Sequence, residues 1–463
     1  MDLANRRDYQ PKFRGVRGPA DSERLPPRLS ERVDAMDIAI PVITLLLLLM
    51  LSVPVAISLA LAGAVGIWLI SGASTLVGIL STAPGSSLSS YELLTIPMFV
   101  LMAEFMGISG ISANLFRAVA AWSGRLKGGV GISTVVTGAL FGAVSGSSTA
   151  AAATLAKISI PAMLEQKYDP RTAAGIVAMA GTIAMLIPPS VALIFYGLLS
   201  ETNISALLIA GIVPGALVTL VLSVTIRITV GRHKAVNEDL PSYSWAERLR
   251  SLRVAIPFIG LFGIVTGLIY SGVATPVESS AIGSMGAFLY TVFNRSITVP
   301  AFKAALVNTC TVTAMIGLIV VCAQVFGFFV TMSGVAHDLA MTVSGSDIPV
   351  WAILAGIVLL YLFLGLFLDL ISILILTVPV MLPIIQQLGL DPLWFGVVVI
   401  LLAEVGIVTP PVGMNVFVVS KISGIPLKDC FAGVVNPIIA VLLLIIALVA
   451  WPEITLWLPN TMH

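Results

Sequence analysis

Charge is what this chain has least of. Asp, Glu, Lys and Arg make up 10% of its 463 residues. Soluble domains carry about 25%, so no large water-facing surface can be built from this composition. Cys310, Cys322 and Cys430 show no paired spacing and sit in apolar stretches. They exclude a disulfide framework and read as small core residues. Neither a phosphate-binding glycine loop nor an HExxH motif occurs, so nothing points to ATP hydrolysis or a metallohydrolase. His233, His337 and His463 all fall outside the apolar segments, where a membrane-embedded enzyme would need a base, and the chain reads as a non-enzyme. Alternation of period two is missing, which argues against an outer-membrane barrel. The net charge of +1 carries no signal for nucleic acid.

What is present is apolar: 58% of residues are hydrophobic and the mean hydropathy is +1.06. Runs long enough to cross ~30 Å of hydrocarbon recur from residue 38 to residue 452. This predicts an all-α polytopic membrane protein. Residues 1–35 differ, with Arg6, Arg7, Lys12, Arg24, Pro26 and Pro27 and no signal-type apolar core, and read as a disordered polar tail.

Inside the apolar part a proline break recurs. Ile187-Pro188-Pro189-Ser190 and Thr409-Pro410-Pro411-Val412 lie 222 residues apart, and the same shift carries Asp169-Pro170 onto Asp391-Pro392, Pro161 onto Pro383 and Pro54 onto Pro276. The chain therefore reads as a duplication: a first membrane repeat over 36–227, a linker over 228–255, a second repeat over 256–455 and a short end at 456–463. Helices are expected at 38–52, 54–72, 92–110 and 205–227, with 170–199 interrupted by its prolines. The second half repeats this at 256–271, 275–293, 306–331, 392–420 and 432–452. The segments 129–165 and 350–386 are expected to be re-entrant hairpins, which gives each half an odd number of crossings and makes the second repeat inverted. Charge supports that count. With the linker placed inside, Arg117, Arg125, Lys127, Lys167, Arg171, Arg227, Arg295, Lys303, Lys421 and Lys428 fall on its side, and the opposite loops, 73–91 among them, hold no Lys or Arg. Trp68, Trp351, Trp394, Trp451 and Trp457 then form an outer aromatic belt. Residues 111–127 and 332–346 read as amphipathic surface helices.

Matching interruptions in two halves are the sequence pointer to a transporter's binding site. The first hairpin tip, Ser145-Gly146-Ser147-Ser148-Thr149, is rich in hydroxyls and small residues, and its non-helical backbone at membrane depth must line a cavity or be buried in protein. Hard oxygens suit an alkali or alkaline-earth cation, and a half-helix N-terminus suits an anion. Each proline lacks an N–H and pushes its predecessor out of α conformation, which strands carbonyls that Ser190 and Asn415 could engage. Glu104, Glu278, Asp369 and Glu404 lie within membrane segments, each costing roughly 2.5–3.5 kcal/mol at the bilayer centre, and so are candidates by default. Asp369 maps onto Ser147 at the 222-residue shift and Glu404 onto Thr182. Glu278 follows Thr275-Pro276 and could equally be a cap; Glu104 reads as structurally paired.

The tip sequence, with Ile160-Pro161-Ala162-Met163, Ile187-Pro188-Pro189-Ser190, Gly211-Ile212-Val213-Pro214-Gly215, Gly272-Val273-Ala274-Thr275-Pro276-Val277-Glu278 and Thr409-Pro410-Pro411-Val412-Gly413-Met414-Asn415, resembles the large membrane subunit of tripartite ATP-independent periplasmic (TRAP) transporters. The resemblance runs from residue 36 to about 455. Leu402 departs from it, standing where the family pattern has Asn. It implies an inner-membrane, sodium-coupled importer of small organic anions such as C4-dicarboxylates, working as an elevator of the ion-transporter type. It also implies two partners, a small four-helix membrane subunit and a periplasmic substrate-binding protein, and no cofactor beyond Na+ as coupling ion. Carried over by residue, the sodium sites would involve Ser145, Ser147, Ser148, Ile187 and Pro189 in the first half and Asp369, Thr409 and Pro411 in the second. Gly146, Thr149, Ser190, Glu404, Gly413 and Asn415 would line the substrate site. A stand-alone sodium/anion symporter of related hairpin architecture is the alternative.

Overall fold

The computed structural model describes residues 35–124, 126–231, 243–345 and 348–462. The polar tail to residue 34, Arg125, linker residues 232–242 and the side chains of Ser112 and Ser145 lie outside the described residues. All regular structure among the described residues is helical. Six helices among the described residues are long and apolar enough to cross a membrane, and a bent seventh, over 245–270, joins them if it counts as one span.

The first half runs α1 (Ala35–Met50), α2 (Val55–Leu88), α3 (Thr95–Ile108) and α4 (Ile111–Ser123). A helix pair follows, α5 (Gly129–Ser145) and α6 (Ser148–Glu165), and then α7 (Pro170–Thr182), α8 (Val191–Ser200), α9 (Ile204–Ala210) and α10 (Ile212–Val230). The second half runs α11 (Trp245–Tyr270), α12 (Pro276–Phe293), α13 (Val299–Ser333), α14 (Val335–Ser344), the pair α15 (Val350–Gly365) and α16 (Leu370–Gln387), α17 (Pro392–Val408), α18 (Met414–Ser423), α19 (Leu427–Ala450) and α20 (Glu453–Leu456). The caps repeat. Asp169 and Asp391 start α7 and α17, accepting hydrogen bonds from the Arg171 N–H at 2.9 Å and the Leu393 N–H at 2.7 Å. In both, proline occupies the first turn, where a missing N–H costs nothing.

Three expectations need correction. The stretch 73–91, expected as a loop, is helical to Leu88 after a break at Gly72, whose φ is 80°. Its small polar residues tolerate this because their hydroxyls bond back into the helix: Thr75 to the Ser71 carbonyl at 3.0 Å, Thr82 to Gly78 at 3.0 Å and Ser86 to Thr82 at 3.2 Å. Trp394 belongs to no belt; it is buried, and its indole donates to the Leu448 carbonyl at 2.9 Å. Cys310 is exposed, whereas Cys322 and Cys430 are buried.

Two packing groups emerge. Helices α1–α3 pack with α11–α13, chiefly α2 on α13 and α3 on α12. The other group holds α5–α10 and α15–α19, in which each half's helix pair packs on the other half: α6 on α18, α16 on α8, and α7 on α19. An ion pair, Arg171 Nε to Asp429 Oδ1 at 2.9 Å, ties α7 to α19. Helices α4 and α14 sit between the groups, α4 burying Ile111, Leu115 and Ala118 against α5 and α11, and α14 packing on α16.

Candidate functional site

Each helix pair turns at a capped tip. At the first, Gly146 adopts left-handed backbone (φ 55°, ψ 15°), a conformation that favours glycine. Ser147 then turns extended and caps α6, its hydroxyl accepting from the Ala150 N–H at 3.3 Å and lying 3.2 Å from Thr149 Oγ1. At the second tip Asp369 caps α16, its carboxylate accepting from the Ser372 N–H at 3.3 Å and from the Ser372 hydroxyl. Ser147 and Asp369, and their partners Ala150 and Ser372, stand at the same 222-residue shift. The sequence alignment of the two tips therefore corresponds to one capping geometry used twice. Ser372 escaped the sequence reading, although its position three residues after Asp369 is a capping signal.

Each tip faces a break. After Thr182 the chain passes through a 3-10 turn, Ile183–Met185, and a cis Pro188–Pro189 bond. Ser190 then caps α8, accepting from the Leu193 N–H at 3.2 Å and donating to the Met185 carbonyl. The sequence expectation that Ser190 engages a stranded carbonyl is met. A Cβ at Gly146 would lie 2.8 Å from Val191 Cγ2, so the first tip touches the start of α8. Ile187 is half-buried and lies over Gly215, and the Leu186 carbonyl points at Gly211; a Cβ on either glycine would collide, at 2.7 Å and 2.4 Å. The Gly211-to-Gly215 motif is thus the seat of the first break, a role its sequence alone did not disclose.

The second break also has a cis bond, Pro410–Pro411, followed by Gly413 in left-handed backbone (φ 54°, ψ 61°). Thr409 is extended and its hydroxyl donates to the Val405 carbonyl at 2.7 Å. Tip and break approach through Gly365 of α15 and Gly406 of α17, where a Cβ on Gly406 would lie 2.5 Å from Gly365 Cα. The first half does the same with Gly142 and Ala184, 2.1 Å by the same measure. No hydrogen bond joins Asp369 to Thr409 among the described residues; each polar group is directed to its own helix. The two centres differ in exposure: Pro188, Pro189 and Ser190 are buried, whereas Asp369, Pro410 and Pro411 are exposed.

The intramembrane acids separate by environment. Glu278 completes a capping box, accepting from the Thr275 N–H at 2.8 Å while its own N–H donates to Thr275 Oγ1 at 3.2 Å. Glu104 of α3 pairs with the Asn308 side chain of α13. Glu404 is 2% exposed, and neither carboxylate oxygen has a hydrogen-bond partner among the described residues. The Ser148 hydroxyl faces it, at a geometry looser than a full hydrogen bond. Glu404 of the second half thus reaches the tip of the first. Asn415 is fully buried with both amide atoms unpartnered among the described residues, so it bonds none of the described stranded carbonyls that the sequence offered it.

Paired tips set against paired helix breaks, in a chain of six or more apolar helices, define a multi-pass α-helical membrane protein with the architecture of a transporter. A solved structure with the same fold is the Alcanivorax borkumensis YdaH transporter, at TM-score 0.61 and 16% identity over 83% of this chain and 90% of that one. The family model described as tripartite ATP-independent periplasmic transporter, DctM component, matches residues 42–454. The C4-dicarboxylate TRAP transporter large permease protein DctM of Pseudomonas aeruginosa is 34% identical, covering 80% of this chain and 86% of that protein. The sialic acid TRAP transporter large permease protein SiaM of Vibrio cholerae is 35% identical over 85% and 92%. The ectoine/5-hydroxyectoine permease UehC of Ruegeria pomeroyi is 31% identical over 79% and 86%. The chain belongs to the DctM component family of tripartite ATP-independent periplasmic transporters.

Proposed function

We propose that this permease imports a small organic anion, a C4-dicarboxylate or another carboxylate, across the inner membrane by coupling to sodium. The two capped tips related by the 222-residue shift carry this reading. At each, one helix presents its last carbonyls, which lack intrahelical partners and suit a cation, and the next presents an N-terminus, which suits a carboxylate. Ser145, Ser147, Ser148, Ile187 and Pro189 are the proposed sodium residues of one site, and Asp369, Thr409 and Pro411 those of the other. Gly146, Thr149, Ser190, Gly413 and Asn415 line the substrate space between them.

The halves are inverted repeats and the helix pairs are re-entrant hairpins. Transport proceeds as an elevator, with α5–α10 and α15–α19 moving against α1–α3 and α11–α13. The boundary supports such sliding: a small pocket there is lined only by apolar residues, Met102, Met106, Phe258, Leu261, Phe262 and Val265 against Pro189. Family membership supports two partners, a small four-helix membrane subunit and a periplasmic binding protein that delivers substrate. Relatives named for C4-dicarboxylate, sialic acid and ectoine support a carboxylate-bearing solute as cargo. The test is uptake by the permease and its small subunit with and without the cognate binding protein. Uptake that requires the binding protein is expected; full-rate uptake without it would favour a stand-alone symporter.

A further inference from the structure

We propose that Glu404 is the carboxylate of the cation site at the first hairpin tip, supplied to that tip by the opposite repeat. The assignment rests on the sodium-coupled reading above and extends it by naming the counter-charge. Its starting point is an imbalance. Glu404 is 2% exposed with both oxygens unpartnered among the described residues. A carboxylate in that state is costly unless a cation or a set of donors compensates it. The protein offers no fixed cation for the role: no Lys or Arg is buried among the described residues, and the ion pair Arg171–Asp429 lies elsewhere.

The place it occupies supplies the second argument. The group facing Glu404 is the Ser148 hydroxyl, on the first residue of α6. The positive end of that helix favours an anion, while a carboxylate's several lone-pair sites leave acceptors free for a metal ion. Hydroxyl and carboxylate, with the terminal carbonyls of α5 at the same tip, would supply hard oxygens suited to a small alkali cation.

The second tip carries its own carboxylate, Asp369, whereas the equivalent position of the first is the neutral Ser147. Glu404 restores the missing charge across the repeat boundary, so each tip would hold one cation against one carboxylate. A cation seated there would bind α17 of one half to α6 of the other, so loading would also draw the halves together.

The experiment is a sodium titration of thermal stability, using the full chain purified with its small membrane subunit and choline as the balancing cation. Wild type is expected to be stabilised by sodium specifically. Glu404→Gln, which keeps shape and removes charge, should raise the half-stabilising sodium concentration at least tenfold, while Glu104→Gln leaves it within about twofold. A Glu404→Gln titration that overlays wild type would overturn the assignment. Should that variant fail to fold, Glu404→Asp keeps the charge and shortens its reach; a shift of at least threefold is expected, and an unshifted midpoint overturns the proposal equally. A wild type indifferent to sodium would remove the underlying reading and this assignment with it. That result is distinguishable from a sodium-responsive wild type matched by its Gln variant.

Discussion

The contact between Gly365 and Gly406 offers a sharp quantitative test of how tip and break are held together. In Gly406→Ala the new Cβ would sit 2.5 Å from Gly365 Cα and 3.0 Å from its carbonyl carbon, where ordinary contact begins at 3.4 Å. Both atoms are backbone, so α15 and α17 must part by about 1 Å, enough to forfeit a quarter to a half of the dispersion energy across the contact. Overpacking of this kind costs about 1–3 kcal/mol, against a helix-propensity gain of about 1 kcal/mol for replacing glycine by alanine. The net is a loss of up to about 2 kcal/mol, with the second tip displaced from its break. Gly356→Ala is the internal control: it lies in α15, the helix that Gly406 of α17 presses on, with nothing within 4 Å of its Cβ, and keeps only the propensity gain. The two variants should shift Tm in opposite directions in detergent, and only Gly406→Ala should impair uptake. If Gly406→Ala matched or exceeded wild type in stability and uptake, the tight α15–α17 contact would not be what holds the second tip.

Further predictions separate the acids, the breaks and the ion pair. Asp369→Ala should weaken sodium dependence of uptake far more than Glu104→Ala, because Asp369 caps an exposed tip while Glu104 pairs with Asn308 between α3 and α13; equal losses at equal protein levels would refute that ranking. Replacing Pro188 and Pro189, or Pro410 and Pro411, by alanine favours a continuous helix by about 3 kcal/mol per residue. Each double variant should insert yet lose sodium-driven uptake, and normal uptake by either would mean the prolines are mere kinks. Arg171→Ala should change stability by less than about 1 kcal/mol, since its partner pair is largely exposed; a larger loss in thermal denaturation would show that the α7–α19 junction depends on charge rather than on packing.

Much of the architecture was written in local chemistry. Asp169-Pro170 and Asp391-Pro392 mark helix starts because carboxylate caps and first-turn prolines act within three residues, and Ser147 and Asp369 are caps for the same reason. The two breaks follow directly from missing N–H groups. Segments governed by competing local options were harder. Residues 73–88 carry turn-forming Ser, Thr, Gly and Pro, yet form a helix in which hydroxyls are satisfied by bonds back to the preceding turn. Contacts made across the repeats left no local trace. Symmetry in sequence pairs Glu404 with Thr182, yet packing presents it to Ser148. The close approach of Gly365 and Gly406, and the burial of one break beside the exposure of the other, likewise belong to tertiary packing that no window of sequence encodes.

The central claim is that an ion gradient, and no nucleotide, drives transport through these tips. It is tested most directly in proteoliposomes holding the permease and its small subunit, with the cognate binding protein and labelled substrate outside. Each net positive charge carried inward gains ~2.3 kcal/mol per 100 mV, so sodium in excess of substrate charge makes uptake respond to membrane potential. An inward sodium gradient without ATP should give concentrative uptake that an interior-negative potential enhances. Undiminished uptake with choline in place of sodium would contradict the account.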